Sequence, residues 1–160
     1  MKVPLLPSPA RWALLLLTLF GSASLLAEDL SQKLVNRPWK LAKWQQGDQL
    51  VDLSPMKQGA SIFLVFNTDG KLNGKSPLNR LSGTYQLEEA NKISISENLA
   101  VTRIAGTPEL MKLETLFLTD LPQMTQYSLE GGDLRLSNEG GGTTLTFAEM
   151  RTIGPAKQEP

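Results

Sequence analysis

Hydrophobic and polar residues alternate with a period of two along most of the chain, the pattern of strands with one buried face. Leu81, Gly83, Tyr85 and Leu87 fall on one side of an extended segment. Ile93 and Ile95 alternate with Lys92, Ser94 and Ser96. The pairs Tyr127/Leu129, Leu134/Leu136 and Leu145/Phe147 repeat the pattern, with Gly131-Gly132-Asp133 and Gly140-Gly141-Gly142 between them as turns. That spacing predicts a β-meander. Ile62 to Phe66 is a continuous apolar run between Gly59 and Asn67-Thr68-Asp69-Gly70. A buried strand entering a tight turn accounts for both, with Lys71 to Gly74 returning. Trp39 to Trp44 alternates imperfectly and reads as the first strand, and Leu99 to Ile104 reads as another.

One segment breaks the period. Leu110, Leu113, Leu116, Phe117 and Leu121 recur every three to four residues, the spacing of one helical face. Thr107 suits the N-cap, and Pro108 the first helical position, where its missing N–H costs nothing. Glu109 in the first turn suits the helix dipole, and Pro122 ends the run. The spacing predicts one substantial helix, Pro108 to Leu121. Leu110, Leu113, Phe117 and Leu121 should face the sheet, and Lys112, Thr115 and Asp120 should face water. About eight strands in so short a chain tend to curl. The expectation is a mainly β fold: a small, incompletely closed antiparallel barrel with the helix plugging an open side or end.

The N-terminus has a different character. Lys2 and Arg11 precede a short apolar run from Trp12, interrupted at Gly21-Ser22 and ending at Ala27 before Glu28-Asp29. A basic start, a short apolar stretch and a small-residue exit form a secretory signal pattern. The run is short for a membrane span; an uncleaved anchor is the alternative. No cysteine follows it, so the chain is not a lipoprotein. The reading divides the chain into a signal peptide over 1–27, a folded domain over 28–150 and a loose C-terminal tail over 151–160.

Composition narrows the chemistry. With 41% apolar and 20% charged residues, the 160-residue chain is globular rather than disordered. Its 16 basic residues balance 16 acidic ones, so there is no basic excess to hold a nucleic acid. Histidine and cysteine are absent, which removes the commonest general base, the commonest metal ligand and the thiolate nucleophile.

The remaining candidates read more simply as structure. Glu88-Glu89 are neighbours on a strand and point to opposite faces, unlike a catalytic carboxylate pair. Asp69 lacks the alternating oxygen ligands of a calcium loop and belongs to a hairpin turn. Gly140-Gly141-Gly142 lacks the lysine and helix of a phosphate loop. Lys75 and Ser76 are adjacent, not spaced as a Ser–Lys pair. Asn79 and Arg80 lie beside a turn, where an asparagine often satisfies backbone groups, with ligand contact the alternative. Arg103 either faces the surface or pairs with a helix carboxylate such as Glu114. Trp39 and Trp44 read as core and rim packing, with a ligand-binding role as the alternative. The sequence therefore offers no catalytic, cofactor-binding or metal-binding residue, and no cofactor is expected.

Taken together, Asp69-Gly70-Lys71-Leu72-Asn73-Gly74 and Leu78-Asn79-Arg80-Leu81-Ser82-Gly83-Thr84-Tyr85 resemble the signature of the META domain, the family of the bacterial heat-shock protein HslJ. Leu99 to Gly106 resembles the family's next strand. Glu114, Phe117, Leu118 and Leu121 resemble its helix, and Asp133 to Leu136 and Leu145 to Phe147 its closing strands. Trp39-Lys40-Leu41 matches its opening strand. The resemblance covers about Arg37 to Met150. Leu78 and Gly106 stand where many members carry cysteines, so any thiol-linked role is excluded here. The N-terminal pattern and the absence of a catalytic constellation point to an exported, periplasmic, non-enzymatic binding or structural module, and the resemblance implies a role linked to the envelope or to stress. Its partner would be an unknown envelope protein or a small apolar ligand. No nucleic acid is expected, and the membrane would be touched only through an uncleaved leader. The alternative is a carrier of an apolar ligand or acyl chain, comparable to the pilotins, whose cracked barrel resembles this domain and binds a lipid chain and a partner protein.

Overall fold

The computed structural model describes residues 30–150 apart from 58 and 90. The expected leader and C-terminal tail lie outside the described residues. The strands are β1 (Pro38–Gln46), β2 (Gln49–Leu50), β3 (Phe63–Phe66), β4 (Lys71–Lys75), β5 (Arg80–Glu88), β6 (Lys92–Ile95), β7 (Ala100–Val101), β8 (Met124–Glu130), β9 (Asp133–Asn138) and β10 (Thr143–Glu149). One helix, α1 (Pro108–Asp120), separates β7 from β8. Thr107 caps it, accepting the Leu110 N–H at 3.3 Å, and Pro108 occupies its first turn.

All pairings are antiparallel. They run β1-β3-β4-β5-β6-β8-β9-β10, and β10 returns to β1, so eight strands close a ring. The two-residue strands β2 and β7 hang on β1 and β5. Closure goes one step beyond the incomplete barrel expected from sequence. It comes from β1, which is long enough to pair with β10 along one edge and with β3 and β2 along the other. The ring is thinnest between β6 and β8, which share one ladder pair, Lys92 with Gln126. There the Tyr127 N–H reaches the carbonyl of Asn91, itself in a left-handed conformation with φ 61°.

Local chemistry explains the details. The pairing of β1 with β10 slips between Leu41 and Lys43, a bulge that adds one residue to β1. Trp39, Leu41 and Trp44 therefore all point inward, although a strict period of two would put Trp44 outside. Gly131 and Gly132, with φ of 62° and 93°, form the two-residue turn from β8 to β9 that needs positive φ at both positions. At Gly74 the constraint is space, because a Cβ would run into the Phe63 carbonyl of β3.

Side chains fill the barrel. Trp44, Phe66, Phe117, Phe147, Leu64, Leu72, Leu134 and Leu136 are fully buried in one core. Helix α1 closes the end where β4 leaves and β5 and β8 begin, placing Leu113 and Phe117 against the sheet, and Leu121 is buried just past its end. Phe117 meets Trp44 edge to face, with centroids 5.7 Å apart. A second stopper was not read from the sequence. Residues 30–34 form a helical turn with Leu34 fully buried. The Trp39 indole donates to the Leu34 carbonyl at 2.8 Å, and the Asn36 N–H donates to the Phe66 carbonyl at 2.7 Å. These bonds hold the turn where β1 begins and β3 ends.

Candidate functional site

The polar residues singled out from the sequence converge where α1 meets the β4–β5 turn. Glu114 is buried on the inner side of α1. Its Oε1 lies 2.7 Å from the Ser76 hydroxyl and accepts from Asn79 Nδ2 at 3.0 Å. Its Oε2 accepts the Leu78 N–H at 2.8 Å. Asn79 faces the other way as well: its Oδ1 accepts the Thr102 hydroxyl and the Ile104 N–H, both at 2.8 Å. One carboxylate and one amide thus tie together the β4–β5 turn, the helix and the segment after β7. Asn79 serves backbone groups, the first of its two sequence readings.

Arg103 faces the surface, the first of its two readings: it is exposed, and the Glu114 carboxylate accepts from neutral donors of the turn instead. The clip corrects one reading. Leu99 to Ile104 is not one strand. Only Ala100 and Val101 form one, because beyond Thr102 the Asn79 side chain takes the Ile104 N–H that a ladder would use.

A second buried carboxylate also departs from expectation. Asp120 does not face water. Its Oδ2 accepts the Trp44 indole N–H at 2.9 Å and Gln46 Nε2 at 2.8 Å. These two donors replace its water shell and dock the end of α1 on β1. The clue in the sequence was an acid at the last helical position, which the helix dipole disfavours without compensating donors. Among the described residues every buried side-chain nitrogen and oxygen has a hydrogen-bond partner.

The other candidates are dispersed. Glu88 and Glu89 are exposed at the end of β5. Asp69 caps the β3–β4 turn by accepting the Lys71 N–H at 3.1 Å, and it pairs with the Lys71 ammonium at 2.8 Å. That hydrogen bond holds its carboxyl below the usual range. Gly140 and Gly141 take positive φ in the β9–β10 connection. Ser76 is fully buried. Trp39 and Trp44 are both core residues whose indoles are satisfied internally, the first of their two sequence readings. Among the described residues no group of three or more metal-ligating side chains comes together, and no helix is long and apolar enough to cross a membrane.

A wide, open surface feature lies beside the clip. An open groove of about 900 Å³ crosses the outside of β3, β4, β5 and β7. Phe63, Leu78, Val101 and Ile104 contribute apolar surface, and among the described residues its only charged ones are Lys75 and Arg80. These two stand directly opposite each other in the β4–β5 ladder.

The order of these parts matches a known domain. Residues 32–151 fit the model of the META domain family. The chain belongs to that family. Solved structures share the META fold. A Burkholderia xenovorans protein solved by NMR aligns with a TM-score of 0.61 at 27% identity, over 76% of this chain and 86% of that one. A DUF4847 family protein from Bacteroides vulgatus aligns with a TM-score of 0.52 at 15% identity, over 72% and 93%. No curated protein sequence matches the chain. In this META domain the asparagine of the Leu78-Asn79-Arg80 signature works as architecture, locking the helix and the β7 segment onto the barrel end.

Proposed function

We propose that this META domain is an exported, non-enzymatic binding module of the bacterial envelope. One observation carries the binding reading: the conspicuous polar residues are consumed by the internal clip, while the cationic, apolar groove stays open to solvent. The basic, apolar N-terminal stretch ending at Ala27 supports export. A link to envelope stress rests on the family alone.

The acyl-carrier reading changes its location. Trp44, Phe66, Phe117 and Phe147 occupy the barrel core, so a chain inside would have to displace them. A carried ligand belongs on the outer face.

Cell fractionation with mass determination of the mature N-terminus tests export. The expected product is periplasmic and begins at Glu28; a cytoplasmic, full-length product would overturn the reading. A turnover screen tests the rest. A hydrolase activity that survives purification and vanishes on one point substitution would replace the binding module with an enzyme.

A further inference from the structure

The β3–β4–β5–β7 groove has a more specific chemistry than exposure alone. We propose that it binds a single-chain carboxylate amphiphile of the fatty-acid class, its head between Lys75 and Arg80 and its alkyl chain along Val101, Ile104, Leu78 and Phe63. The assignment rests on the reading of the domain as a binding module and names the ligand class of that surface.

Charge complementarity fixes the head group. Like charges directly opposite in a ladder repel, and neither Lys75 nor Arg80 takes part in the ion pairs Arg37–Glu149 and Lys71–Asp69. Among the described residues no acid lines the groove. One anion placed between the two cations relieves their repulsion, and Arg80 supplies planar donors suited to a carboxylate. The tail follows from the apolar lining. Val101 and Ile104 are 36% and 59% exposed, high for large aliphatic side chains.

The backbone decides between an alkyl chain and a peptide. β5 is paired with β4 on one side and with β6 and β7 on the other. The floor therefore offers few free N–H or C=O groups, those of the outer edge of the two-residue strand β7, and a peptide crossing it would desolvate most of its own backbone without return. An alkyl chain needs only apolar contact.

The test is a titration of protein purified from cells expressing the full chain, followed by amide chemical shifts and calorimetry, with sodium decanoate as the probe. Decanoate should perturb Lys75, Arg80, Val101 and Ile104. It should bind at least tenfold tighter than decyltrimethylammonium, which has the same chain and the opposite charge, and more tightly than acetate. Lys75→Gln/Arg80→Gln should abolish the charge preference, and Ile104→Ser should weaken decanoate several-fold, both at unchanged melting temperature. The proposal falls if the shifts map elsewhere, if the two amphiphiles bind equally, or if the variants leave affinity intact. It falls equally if an acetylated Leu-Glu-Leu-Glu-Leu amide occupies the groove and decanoate does not, or if Ile104→Ser instead abolishes self-association in sedimentation. Export and turnover are read in separate experiments, so failure here leaves the binding-module reading standing.

Discussion

The Leu78 side chain lies against Gly106: a Cβ built on the glycine would stand 3.1 and 3.2 Å from the two Leu78 methyls. These are the positions at which many META domains carry cysteines. The chain keeps the approach of the two segments without a thiol, through leucine packing and the Asn79 hydrogen bonds to Thr102 and Ile104.

Restoring the pair should therefore crosslink the domain. Leu78→Cys/Gly106→Cys is expected to oxidise to a disulfide and raise stability by about 2–4 kcal/mol over its own reduced form, the usual range for a crosslink of moderate loop length. Thiol titration and melts with and without reductant check this. Two titratable thiols persisting under oxidising conditions would show that the segments are not held in reach.

Glu114→Ala should be among the costliest polar substitutions. It leaves the Leu78 N–H without an acceptor, while the Ser76 hydroxyl keeps the Asn79 carbonyl at 2.8 Å and the Asn79 amide keeps only a long contact, 3.5 Å, to the Ile104 carbonyl. The expected loss is about 2–4 kcal/mol, since each unsatisfied buried donor costs about 1–3 kcal/mol and such costs do not simply add. Hydrogen exchange gives a local signature: the Ile104 amide, held through Asn79, should exchange faster. An Ile104 amide as protected as in the parent would mean that Asn79 holds its place without the carboxylate.

Much of this was legible because local patterning and tertiary packing agree. The period-two runs became β5, β6, β8, β9 and β10, and the one run with apolar residues every three to four positions became α1, with its cap at Thr107. The bulge at Ala42 was visible only as broken alternation, because its position depends on the register with β10. The stopper at Leu34 is a single turn, too short for a periodic signal. Asp120 and Glu114 defeated the rule that acids on a helix face water. Their donors lie 74 to 76 residues away for Asp120 and 35 to 38 for Glu114, distances no local pattern reports. The groove was illegible for the same reason, since Lys75 and Arg80 face each other only through the β4–β5 pairing.

The chain has two tyrosines, and both should titrate late. Burial raises Tyr85 above the ordinary value of 10.0, helped by the nearby charge of Asp69, and burial raises Tyr127. The Tyr85 hydroxyl also donates to the Asn67 carbonyl at 2.8 Å, a bond the phenolate cannot make. Near-ultraviolet titration of the folded protein should show phenolate only above the midpoint seen in denaturant. The folded state holds these protons where the unfolded state releases them. The associated stability is therefore complete below the unfolded value, near pH 10, and lost as pH rises through the raised folded values. Identical titrations with and without denaturant would contradict the burial of both rings.

Phe117 decides whether α1 is part of the fold or an appendage. Its ring is fully buried and packs edge to face on Trp44, while Asp120, one turn on, accepts the Trp44 indole N–H. The helix thus grips one tryptophan by its ring and by its nitrogen. Phe117→Ala should cost about 3–5 kcal/mol, the range for truncating a buried aromatic, which is a large share of a small domain's stability. Lys112, exposed on the opposite side of the same helix, should change stability by less than about 0.5 kcal/mol on replacement by alanine. Trp44 shares the fluorescence with Trp39 and Trp12, and the emission should shift to the red in Phe117→Ala as water reaches the Trp44 indole. Denaturant melts read through that signal test both effects in one experiment. If Phe117→Ala melted with the parent, the barrel end would be closed by β-strand side chains alone. The apolar side of α1 would then be a surface released from the barrel rather than its lid.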